Sequence, residues 1–228
     1  TAPDHDALEE LAIEMAYTIP AQNGGFYTPQ QSLELYPCMG TTDDYAYGVH
    51  SIFSFTIELG IQFIPPAGQI DEIVENNLEA SKILLNRVNR QSITGLITNS
   101  ETSDPVVAEV YVEGIDNIGN FKFPSMSDLN FGRYYRLLQE GNYDITFSAE
   151  GYETVNANVN ITSNQQTILN ISMNPVNLVT VTGQVTDGFS GQPINEGEVN
   201  ILGEEIVYTD ENGNFSLPPV YEGMYIIR

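Results

Sequence analysis

A carboxylate set within an apolar run is the first feature of this sequence that could do chemistry. The run Ile52-Phe53-Ser54-Phe55-Thr56-Ile57-Glu58-Leu59 reads as a buried strand that ends at Gly60. Burying a carboxylate is costly, so Glu58 is expected to be paired or functional. The stretch leading into it, Leu35-Tyr36-Pro37-Cys38-Met39-Gly40-Thr41-Thr42-Asp43-Asp44-Tyr45-Ala46-Tyr47-Gly48-Val49-His50, holds the single cysteine and one of two histidines. A metal site needs several protein ligands together, and with one cysteine and only His5 and His50 as histidines no metal ligand is assigned here. His5 and Glu9 stand one helical turn apart and read as a surface pair. One cysteine makes no intrachain disulfide.

The stretch from Tyr36 to Leu59 resembles the end of the active-site region of zinc metallocarboxypeptidases, closest to the bacterial carboxypeptidase T type. The run Gly-Thr-Thr-Asp-Asp-Tyr-Ala-Tyr-Gly-Val-His and the run Ser-Phe-Thr-Ile-Glu-Leu carry the match, and the spacing from Tyr36 to Glu58 fits without a gap. With the helix before it and Gln62-Phe63-Ile64-Pro65-Pro66 with Gln69-Ile70 after it, the likeness covers most of residues 1 to 90. It implies that Glu58 is the general base, taking a proton from zinc-bound water and returning it to the leaving amine. It implies that Tyr36 closes over the substrate near its C-terminal carboxylate. Asp43 matches the floor of the specificity pocket, where it would attract Lys or Arg, and Thr56 and Cys38 match pocket-lining positions. His50 is a structural residue of the motif. The Zn2+ ligands and the Arg residues that grip the substrate are expected upstream of Thr1, so this stretch by itself should not hydrolyse peptides.

The elements that must position these residues follow from periodicity. Asp4 or Asp6 is expected to cap a helix with Leu8, Leu11, Ala12 and Met15 on one face. A second helix is expected over residues 70–90, with Ile73, Val74, Asn77, Leu78, Ser81 and Leu85 along one face. Its first turn is acidic, and Arg87 and Arg90 in its last turn suit the helix dipole. A strand between helices predicts α/β packing, the C-terminal part of an α/β/α domain with a mixed sheet.

After Arg90 the helical period gives way to short alternating strands: 93–98, 107–113, 143–149, 155–161 and 167–173. Ile93-Thr94-Gly95 is echoed by Val181-Thr182-Gly183, Pro105 by Pro193, and Gly141-Asn142-Tyr143 by Gly223-Met224-Tyr225, the first two about 88 positions on. The expected division is 1–90 for the end of a catalytic domain, 91–175 for an all-β sandwich, and 176–228 for a second, truncated copy. Gly132-Arg133-Tyr134-Tyr135-Arg136 through Tyr143 resembles the transthyretin-like domain of regulatory carboxypeptidases. Thr209-Asp210-Glu211-Asn212-Gly213-Asn214-Phe215 resembles the hairpin of a carboxypeptidase regulatory-like domain.

Thirty-one Asp and Glu against seven Lys and Arg give a formal net charge of −24 over 228 residues, and no cation lies between Arg136 and Arg228. Nucleic-acid binding needs cations to replace phosphate counterions, so it is excluded, and anionic membranes are disfavoured. No run reaches the roughly 18 apolar residues of a membrane span. Both ends read as cuts through something longer. The expectation is an exported, secreted or cell-surface zinc exopeptidase acting on peptide or protein C-termini, with basic or mixed preference. This chain would then lack the N-terminal part of its catalytic domain. The alternative is a non-catalytic surface or adhesion protein with a relic peptidase segment and β-sandwich binding modules.

Overall fold

A computed structural model describes residues 2–116 and 122–228. The first ninety residues hold four α-helices: α1 (His5–Ala16), α2 (Ser32–Leu35), α3 (Thr42–His50) and α4 (Ile70–Asn86). Short 3-10 turns, Ala67–Gln69 and Arg87–Asn89, flank α4. Ala7, Leu11 and Met15 of α1 recur at four-residue spacing and are buried together with Ile19, Phe53 and Ala80 of α4.

The α4 face differs from the expected one. Ile73 and Ala80 are buried and Ile83 and Leu84 pack inward, whereas Val74, Leu78 and Leu85 stand exposed. The apolar residues cover more than one face, and packing on α1 selected the stripe that carries the small Ala80. Arg87 and Arg90 do not serve the helix dipole. Arg87 is buried and donates to the carbonyls of Gln91 (2.6 Å) and Leu138 (3.1 Å), while Arg90 pairs with Glu14 at 2.6 Å.

Residues 52–59 form neither helix nor strand, and among the described residues no strand pairs with them. The expected buried strand is therefore a half-buried edge, with Ile52, Glu58 and Leu59 exposed. Its odd positions turn to the helices: Phe53 is buried in the α1–α4 core, with Phe55 and Ile57 packed beside it. Ser54, Thr56 and Glu58 alternate with these inward residues, and period-two alternation places them on the other side.

From Ser92 onward the chain is sheet. One sheet orders β3 (Arg133–Leu137), β1 (Ser92–Asn99) and β6 (Gln166–Ile168), with β7 (Ile171–Met173) pairing the far half of β1; β3 is antiparallel and β6 and β7 are parallel to β1. The second sheet is antiparallel: β2 (Glu109–Val112), β4 (Gly141–Ser148) and β5 (Val155–Ile161). Ile93, Ile97, Val110, Val112, Ile145, Phe147, Ile161 and Met173 are buried, and Tyr134 meets Phe147 edge-on at 5.2 Å. The alternation in β4 and β5 explains their legibility; β3, Arg-Tyr-Tyr-Arg-Leu, buries Tyr134 and Arg136. Helices and several small sheets make this a mixed helix-and-sheet molecule, sheet-rich towards its C-terminus.

Residues 2–150 with 154–173 form one compact unit, and Gly151–Glu153 with Asn174–Arg228 a second. The second pairs β8 (Leu178–Val179) with β13 (Val220–Tyr221), β9 (Thr182–Gln184) with β12 (Asn214–Ser216), and β10 (Glu198–Val199) with β11 (Val207–Tyr208). Val199, Ile201 and Leu217 form its core. The sequence echo reappears as shared hydrogen bonds. A bridge joins Thr98 to Pro105 and Thr186 to Pro193. Ile97 N donates to Gly132 O and Val185 N to Gly213 O, both at 2.8 Å. At each of these glycines φ is positive, and a Cβ would fall 2.2 Å from Ile97 O or 2.4 Å from Val185 O, so both turns require glycine. Tyr143 Oη donates to Gln139 O, and Tyr225 Oη to Tyr221 O.

Candidate functional site

Two side chains from opposite ends of the 36–58 stretch meet. Tyr36 ends α2 in extended backbone, and its hydroxyl donates to Glu58 Oε1 at 2.8 Å. That hydrogen bond and the carboxylate's charge push the phenol above its ordinary value, with smaller contributions from burial and from Cys38. Tyr36 is thus a neutral donor at physiological pH. Both side chains are exposed, so Glu58 is not desolvated as the apolar run led us to expect; its surface position follows from the missing sheet neighbour on that face.

Asp43 sits in the first turn of α3. The helix begins with a reciprocal capping box: Asp44 N donates to Thr41 Oγ1 at 3.2 Å and Thr41 N to Asp44 Oδ2 at 3.0 Å. The spacing Thr41-x-x-Asp44 is the sequence signature of this box. Both oxygens of Asp43 accept hydroxyls from the 52–59 segment, Ser54 Oγ at 2.5 Å and Thr56 Oγ1 at 2.7 Å. Ser54, Thr56 and Glu58 therefore line one face, which Asp43 and Tyr36 overlie. Cys38 is a free, half-buried thiol. All five expected site residues fall in this neighbourhood.

Sequence reasoning missed Ser54, although the period-2 pattern with Thr56 and Glu58 was a usable signal. It also missed the two groups that hold the chain beyond Glu58. Gly60 N donates to Tyr27 Oη at 2.9 Å, and Ile61 N to Gln22 Oε1 at 3.0 Å. No local pattern marks these, because the partners lie more than thirty residues away.

His50 lies 3.4 Å from Tyr45 Oη and stacks edge-on with its ring. His5 and Glu9 are 3.9 Å apart on the exposed side of α1. Among the described residues, no group of three or more His, Cys, Asp or Glu could hold a metal ion. The residues present therefore do not fit a zinc site. The site also has a charged underside. Asp4, expected as a cap, makes no side-chain cap bond; it is buried, accepting from Tyr47 Oη (2.9 Å) and facing Arg136 (3.4 Å). Arg136 pairs with Asp116 at 2.6 Å, and Lys122 reaches Asp116 at 2.8 Å.

The architecture is a helical N-terminal segment joined to β-sheet modules, and comparison with known proteins bears on both parts. Residues 1–80 match the family model for zinc carboxypeptidase, and residues 100–177 match that for the PEGA domain. The N-terminal segment is thus similar to zinc carboxypeptidases, and the stretch after it to PEGA domains. Among curated relatives, human carboxypeptidase D is 30% identical over 154 residues, covering 67% of this chain and 10% of that protein. Drosophila melanogaster carboxypeptidase D is 31% identical over 137 residues, covering 60% of this chain and 9% of that protein. This chain thus spans about a tenth of the length of those relatives. Among solved structures, a streptococcal ancillary pilin aligns at TM-score 0.44 and 15% identity, covering 60% of this chain and 52% of that one. No helix among the described residues is long and apolar enough to cross a membrane.

Proposed function

We propose that this chain is the C-terminal portion of a secreted or cell-surface metallocarboxypeptidase that releases C-terminal residues from peptides, with basic or mixed preference. The observation that carries the reading is that Tyr36 and Asp43 both bond to side chains of one segment, Tyr36 to Glu58 and Asp43 to Thr56. Glu58 is the general base: it takes the proton of the attacking water and delivers it to the leaving amine, so atoms and charge balance across the cycle. Tyr36 closes over the substrate's terminal carboxylate, exchanging its bond to Glu58 for one to the substrate. Asp43, with Thr56 and Cys38, forms the pocket that reads the terminal side chain. The domains of this reading are 1–90 catalytic, 91–175 and 176–228 β modules. Zinc would be held by residues upstream of Thr1 and would supply Lewis-acid activation of the water; this chain alone is inactive in this reading.

The test uses the longer polypeptide that carries this chain with its upstream residues. Glu58→Gln lowers release of a C-terminal Lys by about 10³-fold or more, the upper range for general-base catalysis, and leaves zinc content unchanged. Retained turnover would remove Glu58 from the role. Absence of a His-x-x-Glu pair and a later His in the upstream coding sequence would overturn the peptidase reading as a whole.

A further inference from the structure

Helix α3 carries Asp43, yet none of its residues is buried. Nine residues form a marginal helix without tertiary support. Its apolar anchor is Tyr47, whose ring lies 6.4 Å from Phe53. Polar bonds do the rest, and the set at its far end comes from the β module. Phe123 N donates to the carbonyl of Gly48 at 2.7 Å. Ser51, the left-handed residue that ends α3 at φ 54°, shares a hydroxyl pair with Ser125 at 2.9 Å. Lys122 Nζ donates to Ser125 Oγ at 3.1 Å and Ser51 Oγ at 3.4 Å.

In mid-helix, one turn beyond Asp43, Tyr47 Oη donates to Asp4 Oδ2 at 2.9 Å and accepts from Asp4 N at 3.0 Å. Asp4 is in turn held by Arg136 of β3, at 3.4 Å. Asp43 and Tyr47 share a face at i, i+4, so a shift of Tyr47 moves Asp43 relative to Ser54 and Thr56. We propose that the β module is a positioning element of the specificity pocket. Lys122, Ser125 and Arg136 fix helix α3, and α3 holds the Asp43 carboxylate against the hydroxyls of Ser54 and Thr56. The coupling to α3 stands on contacts within one compact unit; its effect on specificity rests on the carboxypeptidase reading above.

Two measurements test it. In this chain, hydrogen exchange of amides 42–51 is compared in the wild type, in Ser125→Ala and in the double variant Tyr47→Phe with Ser125→Ala. The expected result is exchange in α3 faster by about tenfold or more for the double variant, with β4 and β5 amides unchanged, and intermediate for Ser125→Ala. Unchanged protection of α3 in the double variant overturns the proposal. If β4 and β5 also lose protection, the fold has failed and Ser125→Ala alone decides in the same way, with Ser125→Thr, which keeps the hydroxyl, restoring protection. In the longer protein, Tyr47→Phe with Ser125→Ala raises KM for a Lys-ended peptide by about fivefold, leaving kcat and the Phe-ended peptide near wild type, as loss of uniform binding predicts. An unchanged Lys-to-Phe ratio overturns the positioning of Asp43. A wild-type longer protein with no peptidase activity defeats the reading of function, while the exchange experiment still decides whether the β module fixes α3.

Discussion

Asp43 accepts two hydroxyl bonds, and that double tether fixes where a cationic side chain would find its charge. A carboxylate free to rotate would lose side-chain entropy on pairing with Lys or Arg; one held by Ser54 and Thr56 has already lost it. Replacing Asp43 with Leu leaves the two hydroxyls without their acceptor and the pocket without its charge. In the longer protein, kcat/KM for Lys-ended relative to Phe-ended peptides should fall about thirtyfold or more. That follows from the roughly 2 kcal/mol lower bound for losing one partner of a desolvated charge pair. A ratio unmoved by Asp43→Leu would take Asp43 out of the pocket. Tyr36 serves differently. Its phenol is held neutral by the bond to Glu58, so in the proposed cycle it would act as a hydrogen-bond donor and not as an acid.

Some elements were legible in the sequence and others were not, for physical reasons that differ from one to the next. The β4 and β5 strands alternate because each has one face in the core, and the expected bounds of β1, β4 and β5 lie within a few residues of those observed. Residues 52–59, expected as a buried strand, are only half buried. Phe53, Phe55 and Ile57 dominated the pattern, while Ser54, Thr56 and Glu58 were already marking the outer face. The family resemblance implies that Tyr36, Glu58, Asp43 and Thr56 share one site, but their pairings with one another were not legible, since no periodicity relates residues 22 and 13 apart. The Asp4–Arg136 contact, spanning 132 residues, could not be read from local pattern at all.

That buried network gives a pH dependence whose sign can be worked out. Burial pushes the Asp116 carboxyl up, but the bond and charge of Arg136 and the bond from Lys122 more than offset it, so its value is lowered. A depressed carboxyl contributes stability that is present above its unfolded value, about 3.9, and is lost as pH falls through the folded value. The thermal midpoint should therefore drop between pH 7 and pH 2.5, and Asp116→Asn should narrow that drop. At pH 7 the same variant should be destabilised by about 3–5 kcal/mol, because Arg136 is left buried with weakened compensation. A pH-dependent drop as large in the variant as in the wild type would show that Asp116 does not carry it.

At the scale of the whole molecule, two opposing features set its behaviour in solution. The first compact unit leaves a run of large apolar side chains in water: Ile61, Phe63 and Ile64 after Gly60, and Val74, Leu78 and Leu85 along α4. Phe63 is fully exposed. Exposed apolar residues in such numbers are a liability for association. The net charge of −24 works against it, since like-charged molecules repel at distances up to the Debye length. That length is about 30 Å at 0.01 M salt and about 3 Å at 1 M, so salt removes the repulsion and leaves apolar contact intact. Sedimentation velocity of this chain should show monomer at 0.01 M salt and self-association on raising salt towards 1 M. Phe63→Ser with Leu78→Lys should suppress the association at high salt. Were electrostatic pairing the cause instead, the salt dependence would run the other way, and the double variant would have little effect. In the longer polypeptide, the carboxypeptidase reading places further catalytic-domain chain against this surface. There the same salt titration should leave the monomer unchanged, and association of comparable extent would mean the apolar run is not covered by that chain.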